Sequence, residues 1–138
     1  MIYALDSNII SYILKEDARV IERFEKEIIH DGYPYVIPPV AVYELKRWLM
    51  EYKSQTYLAF AQSFDILYQS VRNFAVMSAP AWEKAAEIYL QLKQKGELIG
   101  DADILIAAYC LVNDYVLVTE NVKHFNRIEG LKLVNWKE

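Results

Sequence analysis

The apolar positions of the chain fall in short runs whose spacing changes from run to run. IYAL (2–5) is brief, β-permissive and ends at Asp6, and SNIISYIL directly after it carries its apolar residues at helical spacing. A strand therefore runs into a helix with an acid at the joint. In DARVIERFEKEIIHDG, Val20, Phe24 and Ile28 recur every fourth residue, which predicts an amphipathic helix that stops at Gly32. YPYVIPP reads as a second strand closed by prolines, and Pro38 and Pro39 suit the first turn of the next helix, VAVYELKRWLMEYK.

The second half continues the alternation. QTYLAFAQSFDILYQSV predicts an aromatic-rich helix, and FAVM (74–77) reads as a third strand. Ser78 is a fair N-cap, with Pro80 just inside, for the helix AWEKAAEIYLQLKQK, which ends at Gly96. After GELIG comes a helix holding Asp103, then the turn ND, a fourth strand YVLVT ending at Thr119, and LKLVNW as an edge strand. Short apolar strands alternating with helices predict an α/β fold, a parallel sheet covered on both faces. Ligands of such sheets gather beyond the carboxyl ends of the strands, the edge where Asp6 and the TEN after the fourth strand fall.

Length and composition narrow the class. The 138 residues suit one domain spanning 1–138, with no repeat, linker or low-complexity tract. No apolar run reaches the roughly 20 residues of a membrane span, and MIYALDSN lacks a basic leader and cleavage site, so a cytoplasmic protein is expected. Cys110 is the sole cysteine and reads as a packed thiol. A net charge of −4 excludes a protein that coats nucleic acid through overall basicity. It leaves room for an enzyme that meets phosphates through a cation held by carboxylates.

Three acids stand out. In IGDADILIAAYCLVND (99–114) two aspartates precede an almost wholly apolar run. Two residues apart on a helix, Asp101 and Asp103 would point about 200° apart, so they cannot share one target. Asp101, after Gly100, is placed to cap the helix, worth ~1 kcal/mol. Asp103 then heads a face that continues through Ala107, Cys110 and Leu111. A carboxylate there is expensive to desolvate unless paired or metal-bound, though it could also simply favour the positive end of the helix dipole. Glu44, among Val40, Val42 and Leu45, is either a companion acid or the surface partner of Lys46 or Arg47. Asp6 too has a second reading, as N-cap of SNIISYIL. Strand ends and first helical turns bring all three acids to one edge of one sheet.

LDSNIISYIL, VAVYEL, IGDADILIAA and LVTENVKHFNRIEGLKLVNW, in that order over nearly the whole chain, resemble the PIN-domain ribonucleases, specifically the VapC-type toxins of toxin–antitoxin pairs. The D-x-L-I-A-A run followed by V-T-x-N and H-F is the most specific part. The resemblance implies a three-layer α/β/α domain with a central, mainly parallel sheet. It implies Asp6, Glu44 and Asp103 as the metal-binding, catalytic acids, and favours Asp103 over Asp101. Ser7, Asn8 and Thr119 fall at positions that support the site by hydrogen bonding. The fourth site position, often acidic in the family, is Asn121 here, with Glu120 beside it. RNA as substrate, an antitoxin partner and a homodimer are further implications.

The residues suit that chemistry. Crowded carboxylates repel one another, and a hard cation such as Mg²⁺ or Mn²⁺ offsets the repulsion. No zinc spacing, nucleophile elbow or phosphate loop is present; His30 reads as a surface residue and His124 as a packed or capping one, with contact to a phosphate as its alternative. Lys46, Arg47, Lys123 and Arg127 are candidates for steering phosphate. The aromatic series Tyr43, Trp48, Tyr52, Tyr57, Phe60, Phe64 and Tyr68 suits core, a dimer face, a partner groove or base stacking. Two rivals remain. A phosphoacceptor receiver module wants an aspartate just after the third strand, which FAVMSAP lacks; a catalytically silent PIN-fold binding module would tolerate Asn121.

Overall fold

The computed structural model describes residues 1–52 and 55–138. In chain order its elements are β1 (Tyr3–Leu5), α1 (Ser7–Leu14), α2 (Ala18–Phe24), β2 (Tyr35–Val36), α3 (Pro39–Glu51), α4 (Gln55–Gln69), α5 (Ala79–Gln94), α6 (Asp101–Asn113), β3 (Val116–Val118), α7 (Val122–Phe125) and β4 (Leu133–Val134). A π-helical turn, Glu25–His30, prolongs α2. The strands form a sheet in the order β2-β1-β3-β4, each pair parallel, with Tyr3 opposite Tyr35 and Leu5 opposite Val118.

Period-two alternation sorts the strand side chains into two cores. Tyr3, Leu5, Ile37 and Val118 pack on one side with Ile9 and Ile10 of α1, Val20 of α2, Leu45 of α3 and Phe64 of α4. Ala4, Val36 and Leu117 pack on the other with Ile88 of α5 and Ala107, Ala108 and Cys110 of α6. The result is three layers, helices over both faces of the sheet, as expected. Both central strands are buried on both faces, which is why IYAL and YVLV are apolar throughout rather than alternating. Burial pushes the Cys110 thiol far above its ordinary pKa.

The local signals mostly hold. Asp17 caps α2 by accepting from the Val20 N–H, and Ser78 caps α5 by accepting from Ala81. Pro39 occupies the first position of α3. Gly32 and Gly96 close their helices at φ +77° and +69°, where a side chain would be strained. The helix expected through VAVYELKRWLMEYK ends at Glu51, and Lys53 of that stretch lies outside the described residues.

FAVM is not a strand. Arg72–Phe74 form a 3₁₀ turn, and the residues after it pair with no strand of the sheet. The alternation that suggested a strand comes from a connection lying along the surface: Phe74 and Val76 face solvent, while Ala75 and Met77 are half-buried. The Phe74 carbonyl accepts from the Tyr109 hydroxyl of α6 at 2.6 Å, so the segment's polar backbone is tied to a side chain rather than a ladder. YVLV thus supplies the third strand in sequence, β3, and the LKLVNW segment supplies the edge strand β4. Among the described residues no helix is long and apolar enough to cross a membrane.

Leu117 is fully buried at the centre of β3, whereas Leu90 on α5 is 53% exposed. Leu117→Ala should lower the unfolding free energy by ~2–5 kcal/mol in urea titration. Leu90→Ala should change it by about 0.5 kcal/mol or less.

Candidate functional site

The carboxyl end of β1 delivers Asp6. Its backbone is extended (φ −68°, ψ 158°), and its Oδ1 accepts from the Ser7 N–H at 2.8 Å, so it does cap α1. Capping is only half of its role. Oδ2 accepts from the Thr119 hydroxyl at 2.7 Å, across the strand pair, and Asn8 Nδ2 lies 3.5 Å from the same oxygen. The Thr119 Oγ1 in turn accepts from the Asn121 N–H at 3.0 Å. Asp6 is 4% exposed and Thr119 fully buried. Burial drives the Asp6 pKa up to about 6; the Thr119 and Ser7 hydrogen bonds pull it down, and the charges of Glu44 and Asp103 push it further up.

Glu44 reaches the same edge from the second turn of α3, where Ser7 Oγ donates to its Oε1 at 3.2 Å. Burial raises its pKa too, opposed by the Ser7 hydrogen bond and reinforced by the charge of Asp103. The ion pair with Lys46 or Arg47 does not form: Lys46 lies 3.8 Å from Asp65, and the Arg47 guanidinium sits over the Tyr43 ring.

Asp103 stands in the first turn of α6, half-buried. Asn121 Nδ2 donates to its Oδ2 at 3.2 Å, and His124 Nδ1 lies 3.0 Å from that oxygen and 2.9 Å from Asn121 Nδ2. A carboxylate oxygen is the one acceptor both nitrogens can share, which calls for the proton on Nδ1. His124 is thus a site residue that its sequence context concealed. The usable signal was its place three residues after Asn121, one helical turn, in a short helix just past a strand end.

One expectation is corrected here. Asp101 is not the cap of α6: Gly100 holds the N-cap position with extended backbone, and Asp101 is already the first helical residue, exposed, contributing only to the charge at the helix N-terminus. Glu120 turns away from the acids, accepting from the Tyr12 hydroxyl at 2.7 Å, so Asn121 is the residue of the TEN that meets Asp103. Ser7, Asn8 and Thr119 do converge on the site, through Glu44 and Asp6. Arg127 spends its guanidinium on the Glu97 and Leu98 carbonyls, both at 3.3 Å, and thereby pins the loop that leads into α6. His30 is exposed beside Asp31.

The three acids come from three separate elements and repel one another, yet among the described residues no three Asp, Glu, His or Cys side chains stand at ligand spacing. They share an edge and a field rather than a closed cage.

The sequence profile of the PIN domain matches residues 3–131. The chain belongs to the PIN-domain family. Among its relatives, ribonuclease VapC1 of Methanocaldococcus jannaschii is 32% identical over 126 residues, 89% of this chain and 87% of that one. Ribonuclease VapC2 of Rickettsia felis is 30% identical, over 99% and 98% of the two chains. Among solved structures, VapBC2 from Rickettsia felis bound to a DNA fragment from its promoter superposes with a TM-score of 0.81 at 27% identity, over 99% of both chains. VapBC-1 from nontypeable Haemophilus influenzae gives 0.81 at 29% identity over the full length of each. Within the family this PIN domain therefore groups with the VapC chains of toxin–antitoxin pairs.

The raised Asp6 pKa has a signed consequence for metal-free protein. Because the folded value (about 6) exceeds the ordinary aspartate value of 3.8, protonation favours the fold. That contribution, up to about 3 kcal/mol, is full below about pH 4 and is lost as pH rises through 6. Asp6→Asn should flatten this dependence and, melted in chelator at pH 8, hold or raise the midpoint. A loss above ~1 kcal/mol would make Asp6 chiefly a structural cap.

Proposed function

We propose that this PIN domain is a metal-dependent endoribonuclease toxin of the VapC type, neutralised by a cognate antitoxin protein and acting as a homodimer. The observation that carries the proposal is the delivery of Asp6, Glu44 and Asp103 to one sheet edge, where Glu44 and Asp103 raise the cost of charging Asp6 and Asp103 raises that of charging Glu44. The relatives named ribonuclease VapC and the VapBC complexes support the substrate and the partner. Exposed apolar side chains on α4, Leu58 and Ile66, and on α5, Trp82 and Tyr89, offer the surface an antitoxin helix and a second copy would cover.

The donor set fits Mg²⁺ or Mn²⁺. Asp6, Glu44 and Asp103 are hard oxygen donors whose mutual repulsion a divalent cation relieves, and the Asn121 side chain adds a neutral oxygen. Such an ion, when bound, neutralises phosphate charge and acidifies the attacking water. The protein's own residues do the positioning. Thr119 and the Ser7 N–H fix the Asp6 carboxylate, Ser7 Oγ orients Glu44, and Asn121 with His124 fixes Asp103. Water adds across a phosphorus–oxygen bond of the RNA, so one fragment ends in phosphate and the other in hydroxyl. No side chain forms a covalent intermediate.

Single-stranded RNAs incubated with Mg²⁺, Mn²⁺ or chelator test the proposal. Cleavage should require the cation, fall at least ~100-fold in Asp103→Asn, and stay within several-fold of wild type in the exposed Asp101→Asn. Equal losses in folded variants, or undiminished cleavage in chelator, would overturn it. His124→Ala should weaken Mn²⁺ binding by ~10- to 100-fold in calorimetry, with His124→Asn retaining more of it, since an amide can still donate to Asp103.

A further inference from the structure

The acid edge does not end at Glu44. A cleft of about 190 Å³ runs from it between α1 and α3, lined by Ser7, Asn8, Ser11, Lys15, Glu44 and Trp48. Along α1 and its C-cap, Ser7, Ser11 and Lys15 follow at four-residue spacing, a backbone rise of about 12 Å along one side of the helix. On α3, Glu44 and Trp48 are likewise one turn apart.

We infer that this cleft is a nucleotide subsite for single-stranded RNA beside the scissile phosphate, with a base stacked on Trp48 and the next phosphate held by Lys15. The inference rests on the nuclease reading above and extends it to how substrate is held. Trp48 is half-buried and braced: Phe60 stacks on it at 5.8 Å with 20° between the planes, and Tyr52 supports it at 5.3 Å. A ring held rigid by its neighbours offers a flat face at little entropic cost, and every base has a face to match it. Lys15 Nζ lies 5.4 Å from the Trp48 centroid. It covers the aromatic surface in the free protein and is placed to move onto phosphate when a base takes that surface.

The braced aromatic face, rather than overall charge, favours RNA here. The chain is acidic overall, and the acids at the cleft's inner end repel a polyanion, so substrate needs a cation nearby. Lys46 is paired with Asp65, Arg47 lies over the Tyr43 ring, Arg127 is committed to loop carbonyls and the exposed Lys123 is outside the cleft lining, whereas Lys15 lines the cleft itself. The same ammonium opposes entry of an Arg or Lys side chain from that end. Ser11 Oγ, which donates to the Asn8 carbonyl at 2.7 Å, keeps its lone pairs for a base or ribose donor. The cleft is smaller than the ~300–1,000 Å³ of sites that enclose drug-sized molecules, which suits one planar ring system rather than a duplex.

The test compares wild type with Trp48→Ala, Trp48→Phe and Lys15→Gln. Binding of a labelled single-stranded oligouridylate is followed by fluorescence anisotropy in chelator across a salt series, and cleavage kinetics are followed with Mn²⁺. Trp48→Ala should weaken binding by about 5- to 150-fold and raise KM with kcat nearly kept, and Trp48→Phe should recover most of both. Lys15→Gln should weaken binding and reduce the salt slope by about one. If Trp48→Ala fails to fold, as circular dichroism would reveal, Trp48→Phe and Lys15→Gln decide. Unchanged affinity and salt slope in Lys15→Gln, with unchanged KM, would overturn the subsite even if wild type cleaves RNA. Variants that bind RNA normally but no longer copurify with the antitoxin would assign the cleft to a peptide and overturn it equally. Failure of wild type to cleave any RNA would sink the nuclease reading alone, and the anisotropy series would still decide the cleft.

Discussion

The structure is organised around the cost of burying one carboxylate. Asp6 sits at the carboxyl end of a central strand, nearly out of water, where an unaided charge would be prohibitive. Its two oxygens are met by the first amide of α1 and by the hydroxyl of Thr119, the residue just past the adjacent strand. The second contact depends on register. Leu5 lies opposite Val118, and the Asp6 N–H donates to the Val118 carbonyl at 3.0 Å, which sets Thr119 beside Asp6. A slip of one residue would turn Thr119 to the opposite face and leave the acid without its donor. Strand pairing, helix start and site are therefore one constraint.

Much of this was legible in the sequence, and the residues show why. IYAL ending in an acid, followed by helical spacing, specified a strand-to-helix joint because burial on both faces leaves a strand no polar position until it ends. The cap at Ser78 and the stops at Gly32 and Gly96 were legible because each rests on one local backbone requirement. FAVM misled because alternation records exposure, and a surface connection alternates as readily as a strand. Asp101 misled by one residue, since Gly100 adopts the extended cap geometry without a side chain to announce it. His124 was hidden because its partner, Asp103, lies 21 residues away, and no local pattern encodes that contact. The separation of Glu120 from Asn121 was equally a matter of tertiary direction, decided by Tyr12.

The acidic balance of the chain conceals a division among its cations. Several are spent on architecture: Lys137 bonds to Asp17 and lies over the Tyr12 ring, Lys132 pairs with Asp114, and Arg127 secures the approach to α6. Net charge therefore says little about how a polyanion is met. What matters is which cations stay uncommitted near the acids, and a cleft with one ammonium at its far end separates attraction from chemistry by two helical turns.

The buried thiol of Cys110 has a practical meaning. It is the only cysteine of the chain, lies at the heart of α6 and is held in its unreactive protonated form. The native protein is in effect blank to maleimide reagents. A single cysteine introduced at an exposed position, such as Gln94 at the end of α5 or Lys123 beside the site, would take a fluorophore or spin label without first removing the native one. Distances between copies, or the approach of a labelled RNA, become measurable on an otherwise unaltered fold.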